Sequence, residues 1–434
     1  MSAFLETSDR IARQLCRDAL WDGTRCNWLG WSLELVGGRW ANTWRALSGG
    51  LYSGTAGVAL FLARLAPWTR DPLVRETLLG ALRQARQAAA GLPPEDALSF
   101  YSGPAGTGYA CIEAGLALDD DSLVRDGLDL LSRAAAQPPD ERSLDVVAGS
   151  AGLIPALIDT ARRFGREDLM DAAVAHGRLL LATAHRSAAG WSWATLPHVP
   201  RHLLGFAHGA SGMAWALAEL YAVTGEAGLR EGALEAVRYE RSQALPDLTW
   251  PDLRAEPSPV PAPAMNAWCH GAPGIGMARL RLLELLGAQP GLAEDLGVAL
   301  RATAAELASE SGLASFCLCH GAGGNAELLL LAAGALGQPW LRQQAEAAAW
   351  QGIARYHQTG LAWPCGVQGA GETPNLLLGL AGIGYFYLRL HGGAAVPSIL
   401  QLTPSTEALA GRQPERLAGV EEMEEEPLAA AAAG

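Results

Sequence analysis

A Gly-x-x-Gly pair recurs seven times along the 434-residue chain and constrains the fold more than any other sequence feature. Between 46 and 62 residues separate successive pairs, and such a period is typical of a repeat architecture. Each pair precedes an apolar run, as in residues 58–65 and 213–220, which predicts a buried helix. The first glycines of the pairs are Gly54, Gly103, Gly149, Gly209, Gly271, Gly321 and Gly379.

The segments between the repeats have a different pattern. Residues 71–90 and 343–356, for example, carry charged and amide side chains with apolar residues at helical spacing, which predicts amphipathic helices that face solvent. A buried helix that alternates with an amphipathic one seven times predicts an all-α double ring of helices. Because every repeat in a closed ring has two neighbours, no capping repeat is needed. The residues before each first glycine should then converge on one face.

Histidines and cysteines occupy that converging position in several repeats. His208, His270 and His320 directly precede a first glycine, and Cys269 and Cys319 stand one residue earlier. Two Cys and one His are zinc ligands that leave a fourth coordination position open, which is typical of a catalytic site. A substrate thiol in that position would have its pKa lowered from about 8.5 and bind as a thiolate. The alternative is that both cysteines are ordinary buried residues.

Composition and charge exclude several other classes of protein. A net charge of −13 argues against binding nucleic acid through a basic surface. We find neither a signal peptide nor an apolar run of membrane-spanning length. Seven scattered cysteines do not suggest a disulfide framework, so we expect a cytoplasmic protein with reduced thiols, in which Cys317 serves packing.

The repeats suggest one ring domain over residues 47–402. Before it, the Trp-rich segment 1–46 is interpreted as a helical segment that packs over one edge of the ring, with peptide contact as an alternative. After it, the acidic segment 403–434 is predicted to be disordered. A Pro-rich stretch, 251–263, is interpreted as a loop over the active face.

Four of these repeats contain the motifs Trp-Cys-His-Gly-Ala-Pro-Gly at 268–274, Cys-His-Gly-Ala-Gly-Gly-Asn at 319–325, Ala-His-Gly-Ala-Ser-Gly at 207–212 and Gly-Leu-Ala-Gly-Ile-Gly-Tyr at 379–385. These motifs resemble the lanthionine synthetase C family, the lanthipeptide cyclases, and the resemblance covers residues 47–402. Residues 250–254 and 396–400 look like the cyclase portion of bifunctional class II synthetases. Because 434 residues leave no room for a dehydratase domain, we expect a stand-alone cyclase, with a separate dehydratase as a candidate partner.

The resemblance implies an α/α toroid in which Cys269, Cys319 and His320 hold zinc. The implied substrate is a dehydrated precursor peptide. Its cysteine thiolate would add to the β-carbon of a dehydroalanine or dehydrobutyrine and form a lanthionine or methyllanthionine thioether. The resulting enolate must then receive a proton at the α-carbon.

Two further residues are candidates for that proton transfer. His208 is a candidate because histidine is the residue type best suited to act as a general acid near neutral pH, although a histidine satisfied by backbone at a helix start is the alternative. Asp145 precedes Gly149 by four residues, in a motif where the family has a functional Asp. It is expected to fix the His208 tautomer or to act in proton transfer, whereas a helix-capping role is the alternative.

Two more candidates are less specific. His270 stands beside a ligand and is expected to hydrogen-bond the enolate or the peptide, or else only to support the metal site. The stand-alone cyclases of the family carry an Arg shortly before the first zinc Cys, where this chain has residues 265–267 without one. Arg254 is a candidate replacement, with a solvated surface role as the alternative.

Three functions therefore compete. The first is a thioether cyclase. The second is a zinc enzyme that adds another thiol, such as glutathione, to an electrophile on a different molecule. The third is a non-catalytic ring that binds a modified peptide or a partner enzyme. Its structural zinc would need a fourth protein ligand. Since no further Cys stands in the repeat register, His270 or His208 would have to supply it.

Overall fold

The computed structural model describes residues 2–92, 98–197, 199–254 and 264–404. Within these ranges the chain forms fourteen α-helices and three two-stranded antiparallel sheets. No helix in them is both long and apolar enough to cross a bilayer. The predictions of a disordered tail and of a Pro-rich loop lie largely outside the described residues, since 405–434 and 255–263 are not among them.

One helix begins directly after the first glycine of each pair, and these helices form the inner layer. Nearly every side chain in their first three turns is buried, as the apolar runs predicted. The last inner helix packs against the first, which closes the circle, and the predicted all-α toroid is confirmed. The inner helices are α2 (Thr55–Thr69), α4 (Pro104–Leu118), α6 (Ser150–Phe164), α8 (Ala210–Thr224), α10 (Ala272–Leu286), α12 (Ala322–Leu336) and α14 (Leu380–Gly392).

The outer layer covers the inner one, each amphipathic helix packing on the inner helix before it. Six outer helices follow the repeats in order, and the seventh outer position, against α14, is filled from the other end of the chain by α1 (Ala3–Arg17). The Ser8 hydroxyl donates to the Gly384 carbonyl at 2.9 Å across this contact. The six are α3 (Pro72–Ala90), α5 (Asp121–Ala135), α7 (Glu167–Thr183), α9 (Ala227–Ser242), α11 (Leu292–Ala308) and α13 (Pro339–Gly352).

The prediction of a helical segment over 1–46 needs correction, because α1 ends at Arg17. Two β-hairpins follow it, and the second turns at Gly37 and Gly38, whose φ angles of 56° and 80° suit glycine and a tight hairpin turn. The strands are β1 (Leu20–Asp22), β2 (Arg25–Asn27), β3 (Leu29–Val36) and β4 (Arg39–Ala46), and a third hairpin joins β5 (His185–Ser187) and β6 (Gly190–Ser192).

The second glycine of each pair allows a close backbone crossing. A Cβ placed there would lie within 1.8–2.2 Å of the carbonyl oxygen six residues earlier in all seven repeats, as at Gly57 against Leu51 and Gly324 against Leu318. Any side chain would therefore push the preceding loop away from the first turn of the inner helix. The glycines thus hold the loops over the helix N-termini on one face.

Hydrogen bonds join these loops around the whole ring. In six of the seven steps a backbone N–H in one loop donates to a carbonyl in the next, and a serine hydroxyl makes the remaining step. This circle places each loop beside its neighbour and brings the two cysteine loops together. The donor and acceptor pairs are Tyr52–Tyr101, Leu377–Tyr52, Cys319–Leu377, Cys269–Cys319, Ala207–Cys269, Val146–Ala207 and, through its side chain, Ser99–Val147.

Candidate metal centre

The two cysteine loops bring three potential metal ligands together at the centre of this face. One side-chain ligand atom from each of Cys269, Cys319 and His320 lies within 4.8 Å of the other two. The Cys269 N–H donates to the Cys319 carbonyl at 3.2 Å, so the backbone fixes the separation of the two loops. Both cysteines are buried. Among the residues that the structure describes, no other group of three or more Cys, His, Asp or Glu side chains brings its ligand atoms this close together.

The surroundings of the three side chains fit a zinc site. His320 Nε2 lies 2.9 Å from the Gly366 carbonyl and must donate to it, which leaves Nδ1 for a metal. The hydrogen bond with Cys319, and then burial, raise the pKa of Cys269 well above its ordinary value. Burial would lower the pKa of His320, but its hydrogen bond with Cys269 and nearby thiols raise it to about 9. A divalent cation would displace the protons shared by these groups.

A tyrosine that the sequence motifs did not single out also lies at this centre. The Tyr52 hydroxyl donates to Cys319 Sγ at 2.9 Å. Tyr52 stands two residues before Gly54, the register position that Cys269 and Cys319 occupy in their own repeats. That register was the available signal, because it gives Tyr52 the corresponding place in its own loop, although it does not fix the direction of the side chain. A hydroxyl that donates to a ligand sulfur would orient it and stabilise its thiolate form.

His208 and Asp145 form a hydrogen-bonded pair on the same face. Asp145 Oδ2 lies 2.6 Å from His208 Nδ1, while Asp145 Oδ1 accepts from the Ala148 N–H at 2.6 Å. The carboxylate is buried, whereas the His208 side chain is 23% exposed. Because the carboxylate engages Nδ1, Nε2 is the ring nitrogen left to exchange a proton with another molecule. Asp145 therefore both caps its own turn and orients the imidazole.

His270 lies beside this pair. Its ring centroid is 5.6 Å from that of His208. Burial, and then the positive charge of Arg254, lower the pKa of His270 to about 3, so the ring is neutral at physiological pH. Its hydrogen bond with the backbone of Leu204 raises its pKa, so the ring N–H donates to the Leu204 carbonyl. The other nitrogen of the neutral ring can then only accept a hydrogen bond, which suits a peptide N–H rather than an enolate oxygen.

Arg254 lies near the thiols and is held by a carboxylate. Its Nε and Nη2 donate to Asp252 at 3.0 and 2.7 Å, and Nη2 lies 3.1 Å from Met265 Sδ. Burial lowers the pKa of Arg254, but the hydrogen bond and the charge of Asp252, and then the nearby Cys269 and Cys319, raise it above its ordinary value. Met265 belongs to the segment where the sequence lacks the expected Arg. The seven predicted site residues thus share one face, and their chemical roles remain predictions.

A closed double ring of helices, with two thiols and an imidazole converging at one face, defines an α/α toroid with a candidate zinc centre. Residues 45–401 match the sequence profile of a family described as "Lanthionine synthetase C-like protein". Since the match covers most of the chain, the protein belongs to the lanthionine synthetase C-like family.

One solved structure supports the fold, and a second is too dissimilar to carry any argument. Nisin cyclase superposes with a TM-score of 0.63 at 16% sequence identity, covering 92% of this chain and 96% of that one. An unsaturated glucuronyl hydrolase from Bacillus sp. GL1 has a TM-score of 0.38 at 16% identity, covering 69% of this chain and 82% of that one. The second value is too low to bear on function, whereas the first shows the shared toroid.

Proposed function

We propose that this protein is a zinc-dependent lanthipeptide cyclase that acts on a dehydrated precursor peptide. The observation that carries the proposal is the position of Cys269, Cys319 and His320 on the same face as the His208–Asp145 pair. Thiol ligands suit activation of a substrate thiol, and an oriented imidazole suits proton delivery. Membership of the lanthionine synthetase C-like family supports this chemistry over other uses of the toroid.

Each residue then has a defined task. Bound zinc would supply a cation that keeps the substrate cysteine ionised at neutral pH. When the new carbon–sulfur bond forms, the π electrons of the dehydroamino acid move to its α-carbon and amide oxygen. His208 Nε2 delivers a proton to the α-carbon, and Asp145 stabilises the imidazolium before that step. Arg254 is placed to offset negative charge on the amide oxygen, and His270 accepts from the peptide backbone.

Incubation with a dehydrated peptide in heavy water tests this function. Each ring should remove one thiol that can be alkylated and leave one carbon-bound deuterium, with a single stereochemistry at the α-carbon. Mass spectrometry counts both, after subtraction of the uncatalysed reaction at the same pH. Added glutathione that raises the peptide mass would instead favour the intermolecular enzyme. A product identical in rate and stereochemistry with the background would favour the non-catalytic ring.

Tyr52→Phe should weaken zinc binding without unfolding the protein. Loss of a partner that hydrogen-bonds a metal ligand costs on the order of 10- to 100-fold in affinity or activity. Tyr101→Phe is the matched control, because Tyr101 occupies the same register and its hydroxyl donates to the Ile399 carbonyl at 2.8 Å instead. Competition with a chelator measures affinity, and cobalt substitution reports the sulfur-to-metal absorption band. Equal affinity and an unshifted band in both variants would show that Tyr52 has no role at the metal.

A further inference from the structure

The β3–β4 hairpin turns its apolar face to solvent. Its register places Trp31 opposite Trp44 and Leu35 opposite Trp40, so these side chains share one face. Leu35 is 62% exposed and Trp40 66%. An antiparallel pair normally buries its apolar face and exposes the polar one. Here most of the apolar face is exposed, while Ser32, Glu34 and Thr43 on the opposite face are half-buried. The hairpin face consists of Leu29, Trp31, Leu33, Leu35, Trp40, Asn42 and Trp44.

Exposed apolar side chains concentrate in this part of the chain. Of the fifteen exposed large apolar residues in the described ranges, eight lie in the two N-terminal hairpins. Scattered exposed residues need no explanation, but a concentrated patch indicates an interaction site. The strands β3 and β4 also pair only with each other within the described residues, so a further strand could pair with an outer edge of the hairpin.

The hairpin face borders the candidate metal centre. Asn42 Nδ2 donates to the Gln368 carbonyl at 2.8 Å, and a Cβ at Gly371 would lie 3.6 Å from Trp31 Nε1. Gln368 is two residues from Gly366, whose carbonyl accepts from His320. Two residues of extended chain span at most about 7 Å. The loop that supports a metal ligand is therefore also the loop that the hairpin face contacts.

We propose that the hairpin face binds an extended, apolar segment of the substrate peptide beside the metal centre. This inference rests on the proposed function, because it takes the substrate to be a peptide. The hairpin face adjoins the loop of Gly366, which supports the metal ligand His320. A peptide whose cysteine is bound at the metal centre extends beyond it across the adjacent surface, so the hairpin face is in reach of the same peptide. Exposed Trp side chains on a paired ribbon offer large, rigid apolar contacts, which are typical of binding hot spots, and the neighbouring leucines extend the apolar surface.

The double variant Leu35→Ala/Trp40→Ala tests the hairpin face. Both side chains are exposed at the hairpin tip, so the fold and the zinc content should not change. The Kd for a dehydrated peptide whose cysteines are replaced by serine, measured by fluorescence anisotropy, should rise at least about 10-fold. Trp350→Ala on α13 is the matched control, since Trp350 is 50% exposed but lies outside the hairpins, and its Kd should match the wild-type value.

The outcomes separate this inference from the proposed function. A variant that forms rings with raised KM and unchanged kcat supports the inference. Unchanged Kd and KM in a variant that still forms rings would overturn the inference and leave the cyclase function intact. Hairpin-dependent binding by a wild-type protein that forms no rings would support the inference and contradict the function. A change of oligomeric state by light scattering, with the peptide Kd unchanged, would make the face a contact between copies and would also overturn the inference.

Discussion

Cys319→Ala should lose stoichiometric zinc and all cyclisation above background while the protein stays folded. Cys319 supplies one of three ligand atoms, and its loss leaves one thiol and one imidazole, which are too few to hold the ion tightly. The ring does not depend on that ion, because the inner helices are packed and joined by buried ion pairs such as Glu327–Arg389 and Glu219–Arg281. Metal analysis measures the zinc, and circular dichroism with thermal unfolding measures the fold.

Cys317→Ala is the matched control for this experiment. Cys317 is buried and only two residues away, but it is not part of the ligand cluster. This variant should keep its zinc and most of its activity. If both Cys269→Ala and Cys319→Ala kept stoichiometric zinc, the ligand assignment would be wrong. Loss of zinc from Cys317→Ala alone would show that the metal uses a different thiol.

The toroid could be predicted because its determinants are local and repeated. Each glycine pair marks the start of an inner helix, as at Gly57 and Gly324, and the apolar runs that follow are buried as expected. The predicted convergence of Cys269, Cys319 and His320 followed from the same register. Residues at the same position of successive repeats lie on the same face of the closed ring, around its centre.

The closure by α1 could not be predicted in the same way. This helix and α14 lie at opposite ends of the chain, and α1 precedes the first glycine pair, whereas every other outer helix follows its own inner helix. Its amphipathic pattern predicts a helix but not a partner. The hairpins had a local signal at Gly37 and Gly38, which the many tryptophans of the segment obscured.

Within the site, the repeat register predicted where the candidate residues lie but not the hydrogen bonds that their side chains make. The role of Tyr52 depends on the direction of its side chain, which the sequence leaves open. The neutral state of His270 depends on burial and on Arg254, which approaches from a separate loop. Such effects arise between residues that are distant in sequence but close in the fold, and the periodicity of the repeats does not predict which of these residues meet.

His208→Asn should leave the zinc content unchanged and slow cyclisation by on the order of 10²-fold. Asparagine keeps a polar group that can bond with Asp145, so the buried carboxylate stays partnered, but it cannot deliver a proton at neutral pH. Single-turnover mass spectrometry gives the rate, and metal analysis gives the zinc. His391→Asn is the control, because His391 bonds the Ser2 hydroxyl at the N-terminal helix and should have no effect on either quantity.

The stereochemistry of the same variant distinguishes a proton donor from a residue that only shapes the site. If His208 delivers the proton, water must replace it in the variant, and deuterium should enter the α-carbon with reduced selectivity. Asp145→Asn should slow the reaction while retaining the stereochemistry, because the imidazole is then poorly oriented but still present. If His208→Asn were slow yet fully stereoselective, the proton would have to come from another group. If His208→Asn instead lost its zinc, His208 would be a ligand, and the roles proposed for His208 and His320 would have to be exchanged.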